Sequence, residues 1–400
     1  MTVDSAWLVL GGLHHLNGSA PVSGTDPVVV VPLGAAPHEH FPQNTVVLDW
    51  AGLGEVELRG RGAGRAALAK VHGADLFPDM LPGPVLTELA GGGPGPLVPL
   101  FHVAVRHTDE GARAHVHGQI RFTAEDACFI RITPEPLAVS AVEELDWLPE
   151  AVRLHAEKAL FLNNHQRYYR KCFAGQEMEY KYTLRPPVDI WTATVELYRR
   201  LRAGGLPGYV MEYRDEFQAW DYTNHLYQVT APEPDRGYVS FIPTTDGRNL
   251  VKRKWYTADT FSRRESHTYG VDAEDGFDAY VRDELKVVST RLPSFRRVRY
   301  DVNFESTRTG HVYGIFFDHV SLIDAPDVVL SQCELEYLRS RTAVEPDAGA
   351  VLTEIDEIAR WLEAYLGEHG LNNERGYYSK LTFLLDSVAA RPELAAVVAR

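Results

Sequence analysis

Residues 177–184 read EMEYKYTL, with Glu177, Glu179, Lys181 and Thr183 at every second position. Along a β-strand successive side chains point to opposite faces, so these four share one face while Met178, Tyr180 and Tyr182 share the other. A helix would instead make Glu177 and Lys181 an i,i+4 ion pair. Tyr180, Tyr182 and Thr183 argue against it, because aromatic and β-branched residues favour pleated structure, and Pro186–Pro187 stops either element. An ordinary strand whose charged face meets water is the simplest alternative.

The same alternation recurs downstream. In VKRKWY, Lys252 and Lys254 share a face; in RRVRYD, Arg297, Arg299 and Asp301 do; in CELEYL, Glu334 and Glu336 do. Two acidic strands bracket two basic ones, and their opposite faces are only partly apolar, which fits poorly with four solvated sheets. A closed antiparallel barrel resolves this, because interior positions alternate with exterior ones along each strand and a wide interior tolerates polar groups. Charges turned inward need partners, since an unpaired buried charge costs several kcal/mol or more. A divalent metal on the glutamates and phosphate on the cations would supply them. A structural network, in which the charges pair with one another, is the competing account.

A chain of 400 residues exceeds the size at which one core usually stops growing, so two domains are expected. Its net charge of −15 opposes non-specific attraction to nucleic acid or an anionic membrane. An anionic ligand therefore needs a local basic cluster. The start, MTVDSAWLVLGGLHH, has an acid and no cation before a short apolar run, unlike a signal peptide, and no stretch is long enough to span a bilayer. The expectation is a cytoplasmic protein with no nucleic-acid or membrane partner, self-association being open. Cys128, Cys172 and Cys333 are too scattered for a disulfide framework or zinc knuckle and read as small buried residues.

The expected fold class is α+β, mostly β. Residues 1–140 are rich in Gly and Pro, with short β-prone runs (DPVVVVPL, NTVVLDW, FHVAVRH, AHVHGQIRF) and one expected helix near GRAALAKVHG. Residues 141–172 carry apolar residues at helical spacing and read as linker helices interrupted at Pro149. From 173 to 400 the texture changes to tyrosine-, arginine- and valine-rich strands. An amphipathic helix then places Ile355, Ile358, Ala359, Leu362 and Leu366 on one side, and a last helix lies near LTFLLDSVAA.

Glu177-x-Glu179-x-Lys181 resembles the signature of the CYTH superfamily, the triphosphate tunnel metalloenzymes, over about residues 175–385. The later order agrees: a turn region WDYTNHLY, a lysine strand, an arginine strand, FFDHVSLI with Asp318, paired glutamates, then YYSKLTFLL. The resemblance implies an antiparallel tunnel barrel of about eight strands followed by C-terminal helices. It implies Mg²⁺ or Mn²⁺ on Glu177, Glu179, Glu334 and Glu336, with Glu177, Glu179 and Lys181 serving catalysis. Lys181, Lys252, Lys254, Arg297 and Arg299 would grip the phosphates of a small-molecule substrate. The implied activity is metal-dependent hydrolysis of a triphosphate or another phosphorylated small molecule. The alternatives are a cyclase acting on ATP and a non-catalytic binding or scaffold protein whose N-terminal domain is the effector. One departure stands out: the family's Arg-x-Arg strand corresponds here to GYVSFIP, which has no charge, and the Asp221-Tyr222-Thr223 order is imperfect.

Two His-x-His pairs, His38/His40 and His115/His117, would each place both imidazoles on one strand face, as metal ligands or, more simply, as surface histidines. LFPDMLPGPVLTEL faintly resembles the catalytic region of hot-dog dehydratases, with Glu88 in the acidic position and Leu76 where a histidine would stand.

Overall fold

The computed structural model describes residues 5–12, 15, 21–34, 43–61, 68–76, 97–109, 111–162, 169–185, 188–212, 216–371 and 373–398. The chain forms two compact units. The first comprises Met1–Arg170 with Ser306–His311 and Ser340–Asp347; the second comprises Lys171–Glu305, Val312–Arg339 and Ala348–Arg400.

In the first unit nine strands form one antiparallel sheet: β1 (Ser5–Gly12), β2 (Val28–Gly34), β3 (Thr45–Asp49), β4 (Glu55–Arg61), β5 (Leu68–His72), β6 (Leu97–Thr108), β7 (Gly111–Phe122), β8 (Asp126–Arg131) and β9 (Leu137–Val139). The order is β3-β8-β7-β6-β1-β2-β4-β5, with β9 beside β7. Helix α1 (Leu148–Leu162) buries Ala151, Val152 and Leu162 in the same core as Val9, Val103 and Val116. A second cluster holds Leu8, Leu10, Val29 and Phe129.

Two expectations change here. Within GRAALAKVHG, Leu68–His72 forms β5 rather than part of a helix, because it pairs residue for residue with β4, and residues 64–67 lie outside the described residues. Pro149 does not interrupt a helix; it occupies the first turn of α1, where the missing N–H costs nothing. The hot-dog-like stretch from residue 77 onward, and His38 and His40, lie outside the described residues.

After β10 (Tyr169–Arg170) the second unit runs β11 (Gln176–Leu184), α2 (Ile190–Arg202), β12 (Tyr209–Met211), β13 (Phe217–Ala231), β14 (Gly237–Pro243), β15 (Asn249–Trp255), β16 (Ser262–Val271), β17 (Val288–Arg291), β18 (Phe295–Ser306), β19 (His311–Leu322), β20 (Val329–Arg341), α3 (Ala348–Glu368), β21 (Asn373–Gly376), α4 (Lys380–Ala390) and α5 (Glu393–Val398). The sheet order β20-β19-β18-β13-β14-β15-β16-β11 closes on itself through the β11–β20 pairing. This is a closed eight-stranded antiparallel barrel, the architecture that the resemblance implied. WDYTNHLY is not a turn but the middle of β13, paired with β18 and β14.

The outer wall is apolar. Ile355, Ile358, Ala359, Leu362 and Leu366 on α3 are all completely buried against Tyr182, Leu184, Leu335 and Leu197 of α2. Helix α2 begins where Asp189 accepts a hydrogen bond from the Thr192 backbone N–H at 3.1 Å, and three arginines sit in its last turn, each favourable against the helix dipole.

Candidate functional site

β11 shows how the barrel uses alternation. Glu177, Glu179 and Lys181 face inward and are 7%, 1% and 4% exposed. The other face is covered as well: Tyr182 lies in the core beneath α3, and the Tyr180 hydroxyl donates to Asp356 at 2.6 Å. A strand with one water-facing side is therefore excluded.

The interior interleaves acids and cations. At one place Glu177 and Glu179 of β11 meet Glu336 of β20, which stands directly opposite Glu179. One carboxylate oxygen from each lies within 4.8 Å of the other two. Three surrounding cations hold two of these acids: Lys254 lies 2.5 Å from Glu177, Lys181 lies 2.8 Å from Glu179, and Arg263 donates to Glu179 and lies 3.7 Å from Glu177. Burial alone would raise the Glu177 pKa, but the Lys254 charge, with Arg263 and Lys181, holds it below the ordinary carboxylate value. Glu336 has no ion pair among the described residues. Burial and then the charges of Glu177, Glu179 and Glu265 push its pKa well above normal.

This acid set fits a divalent cation. Three carboxylate oxygens so close can all reach one ion at the roughly 2.0–2.6 Å separations of magnesium, manganese or calcium, and an all-oxygen donor set suits a hard metal. A bound dication would also turn three mutually repelling carboxylates into ligands.

Glu334 stands elsewhere. It lies opposite Lys181 in the ladder and accepts hydrogen bonds from Lys181, Lys380 and Arg299, and from Arg297 at 3.0 Å. Against the effect of burial, these cations hold its pKa well below normal. Asp318, fully buried on β19, accepts from Arg299 at 2.7 Å, from Lys380 at 2.8 Å and from Arg297. Thus Lys181, Arg297 and Arg299 come together around Glu334, with Asp318 held by the two arginines. Glu334 joins them rather than the other three glutamates, because one two-residue step along β20 exchanges Glu179 for Lys181 as its neighbour.

Lys252 and Lys254 line the same cavity, whose volume is about 100 Å³, room for several water molecules. Among the described residues Lys252 has no ion-pair partner; against burial, the Lys254 charge first, then the His267 hydrogen bond and the Lys252 charge, bring the Glu265 pKa down to about 2. Asp301 follows Arg299 on the inward face of β18 and accepts from the Trp220 indole at 2.8 Å; burial, opposed by Arg299, raises its pKa to about 6.

Sequence reasoning missed Arg263, Glu265 and His267, which line the cavity from β16. The signal was present: SRRESHTY spaces them at period two. Lys380 was missed for a different reason. It sits in the first turn of α4, just after the Ser379 cap, and no strand alternation marks it.

In the first unit His115 and His117 lie on β7 as expected, but both are buried, which corrects the surface reading. His115 Nδ1 meets the Thr133 hydroxyl at 3.1 Å and His117 Nε2 meets the Gln43 carbonyl at 3.0 Å. Cys128 and Cys333 are buried, and Cys172 is half-buried. Among the described residues no helix is long and apolar enough to cross a membrane.

No family model matches the chain, and no curated protein does. Among solved structures, a Hippeastrum protein, HpAC1, for which a dominant triphosphatase activity is described, aligns with 53% of this chain and 96% of its own at 15% identity and a TM-score of 0.32. The Pct1 RNA triphosphatase of S. pombe aligns with 54% of this chain and 84% of its own at 12% identity and a TM-score of 0.22. The di-domain ARO/CYC StfQ of the steffimycin biosynthetic pathway covers 82% of this chain and 85% of its own, at 10% identity and a TM-score of 0.16. Likeness at this level says nothing of what the chain binds.

Proposed function

We propose that the second unit is a metal-dependent phosphohydrolase acting on a triphosphate or another phosphorylated small molecule inside the barrel. The carrying observation is that three glutamates converge within one closed interior that is also lined by Lys181, Lys252, Lys254, Arg263, Arg297, Arg299 and Lys380. Glu177, Glu179 and Glu336 would hold Mg²⁺ or Mn²⁺, which would clamp phosphate oxygens and acidify a water. Lys252 would meet a phosphate directly, since among the described residues it is a cavity cation without an ion-paired carboxylate. Arg297, Arg299, Lys181 and Lys380, kept in place by Glu334 and Asp318, would stabilise charge that develops on the transferring group. Such pre-positioned cations need no rearrangement when the reaction occurs.

The test is phosphate release from tripolyphosphate, ATP, GTP and thiamine triphosphate, with Mg²⁺ or Mn²⁺ and again with EDTA. Turnover that needs metal and falls at least about 100-fold in Glu177→Gln/Glu179→Gln is expected. Undiminished turnover in a folded double variant would sink the reading, and cyclic AMP in place of phosphate would mark the cyclase. One observation favours the second reading, a binding protein: β14 brings no cation to the interior. Ligand-dependent thermal stabilisation without turnover would establish it.

A further inference from the structure

Two adjacent barrel strands carry no charge into the cavity. β13 contributes Tyr222, Asn224 and Leu226, and its neighbour β14 contributes Tyr238, Ser240 and Ile242. All the charged lining side chains come from the other strands and from Lys380 of α4. We propose that this neutral wall is a seat for the organic part of the substrate, so that the ligand is a phosphate ester of a hydroxyl- or ring-bearing molecule and inorganic tripolyphosphate is a poor ligand. The inference rests on the metal-and-phosphate reading above and names the substrate class that the site selects.

The polar groups on the wall are arranged for an uncharged partner. The Ser240 hydroxyl donates to Asn224 Oδ1. That leaves the Asn224 amide N–H groups to donate to a ligand oxygen. The Tyr222 hydroxyl accepts from Arg297 at 3.1 Å, so the boundary between wall and cation array passes through this tyrosine. Tyr222 and Tyr238 also present rings, which stack on planar or apolar groups. An inorganic polyphosphate long enough to reach this wall would press charged oxygens against Leu226, Ile242 and the aromatic rings. It would lose hydration there without gaining cations in return. An ester places its charge between the glutamates and Lys252 and its neutral body on β13 and β14.

The test uses the full chain with Mn²⁺ and calorimetric titration of inorganic tripolyphosphate against ATP, UTP and thiamine triphosphate, which carry the same three phosphates. At least one ester is expected to bind at least tenfold more tightly than tripolyphosphate. Ser240→Arg, which puts a cation on the wall, should narrow or reverse that ratio. Tripolyphosphate binding as tightly as every ester overturns the proposal, on wild-type protein alone, whether or not the variant folds. Mn²⁺ binding with no phosphate compound bound overturns it too but leaves the metal site standing. Absence of Mn²⁺ binding, measured separately by electron paramagnetic resonance, removes the functional reading on which it rests.

Discussion

At the scale of single residues, the interior holds two kinds of charge, committed and uncommitted. Glu334 is committed: four cations converge on it, so Glu334→Gln should leave them facing one another. We expect a destabilisation of roughly 3–5 kcal/mol, the usual consequence of removing one partner from a buried charge network, seen as a fall in chemical-denaturation midpoint. Lys252 is uncommitted. Lys252→Met should change stability by no more than about 0.5 kcal/mol while weakening phosphate-ligand binding at least tenfold; a large loss of stability without loss of binding would contradict its assignment. Asp301 gives a pH signature. Its pKa is raised to about 6, so between about pH 4 and pH 6 the folded chain holds a proton that the unfolded chain has released. Stability from this group is therefore full at low pH and is lost as pH rises through 6. Asp301→Asn should raise Tm by a few degrees at pH 8 and leave it unchanged near pH 4.

At the scale of elements, the barrel strands were legible because charge alternation and β-propensity agree there. Glu177, Glu179 and Lys181 could be assigned to one face from period two alone. Where local pattern and pairing partner disagree, the partner wins. GRAALAKVHG has helical composition but its residues Leu68–His72 pair with β4, and WDYTNHLY has turn-forming residues yet is held extended by pairing with β18 and β14. The start of α4 is a further case. Ser379 caps it by accepting from the Thr382 backbone N–H at 3.1 Å, and the next residue, Lys380, enters the cation array. Ser379→Ala should cost about 1 kcal/mol and weaken ligand binding through Lys380; restoration of both by Ser379→Asp, another good cap, would show that capping is the cause.

At the scale of the whole molecule, the two units should answer different perturbations. The first contains His115 and His155, whose burial brings both pKa values down to about 4. Their unfolded forms take up protons near pH 6.5, so stability is present above that value and is lost as pH falls towards 4. Tm recorded from pH 7.5 to pH 5 should decline, and His155→Phe should reduce that decline. The second unit should respond to metal: Mn²⁺ at about 100 times its Kd should add roughly 2.7 kcal/mol, and Glu179→Gln should abolish the gain.

The common face of the charged residues, the barrel that such strands require and the apolar stripe of α3 are all readable from the amino-acid pattern, since each follows from side-chain period on a local element. Which charges meet depends instead on how distant strands pair. Glu336 and Glu334 are equivalent by sequence, two residues apart on one face, yet one faces Glu179 and the other faces Lys181. That difference comes from the register between β11 and β20, strands about 150 residues apart, and no local pattern encodes it. Lys380 and Asp318 likewise join the site through closure of the barrel and docking of a helix, where distance in space is set by the fold and not by spacing along the chain.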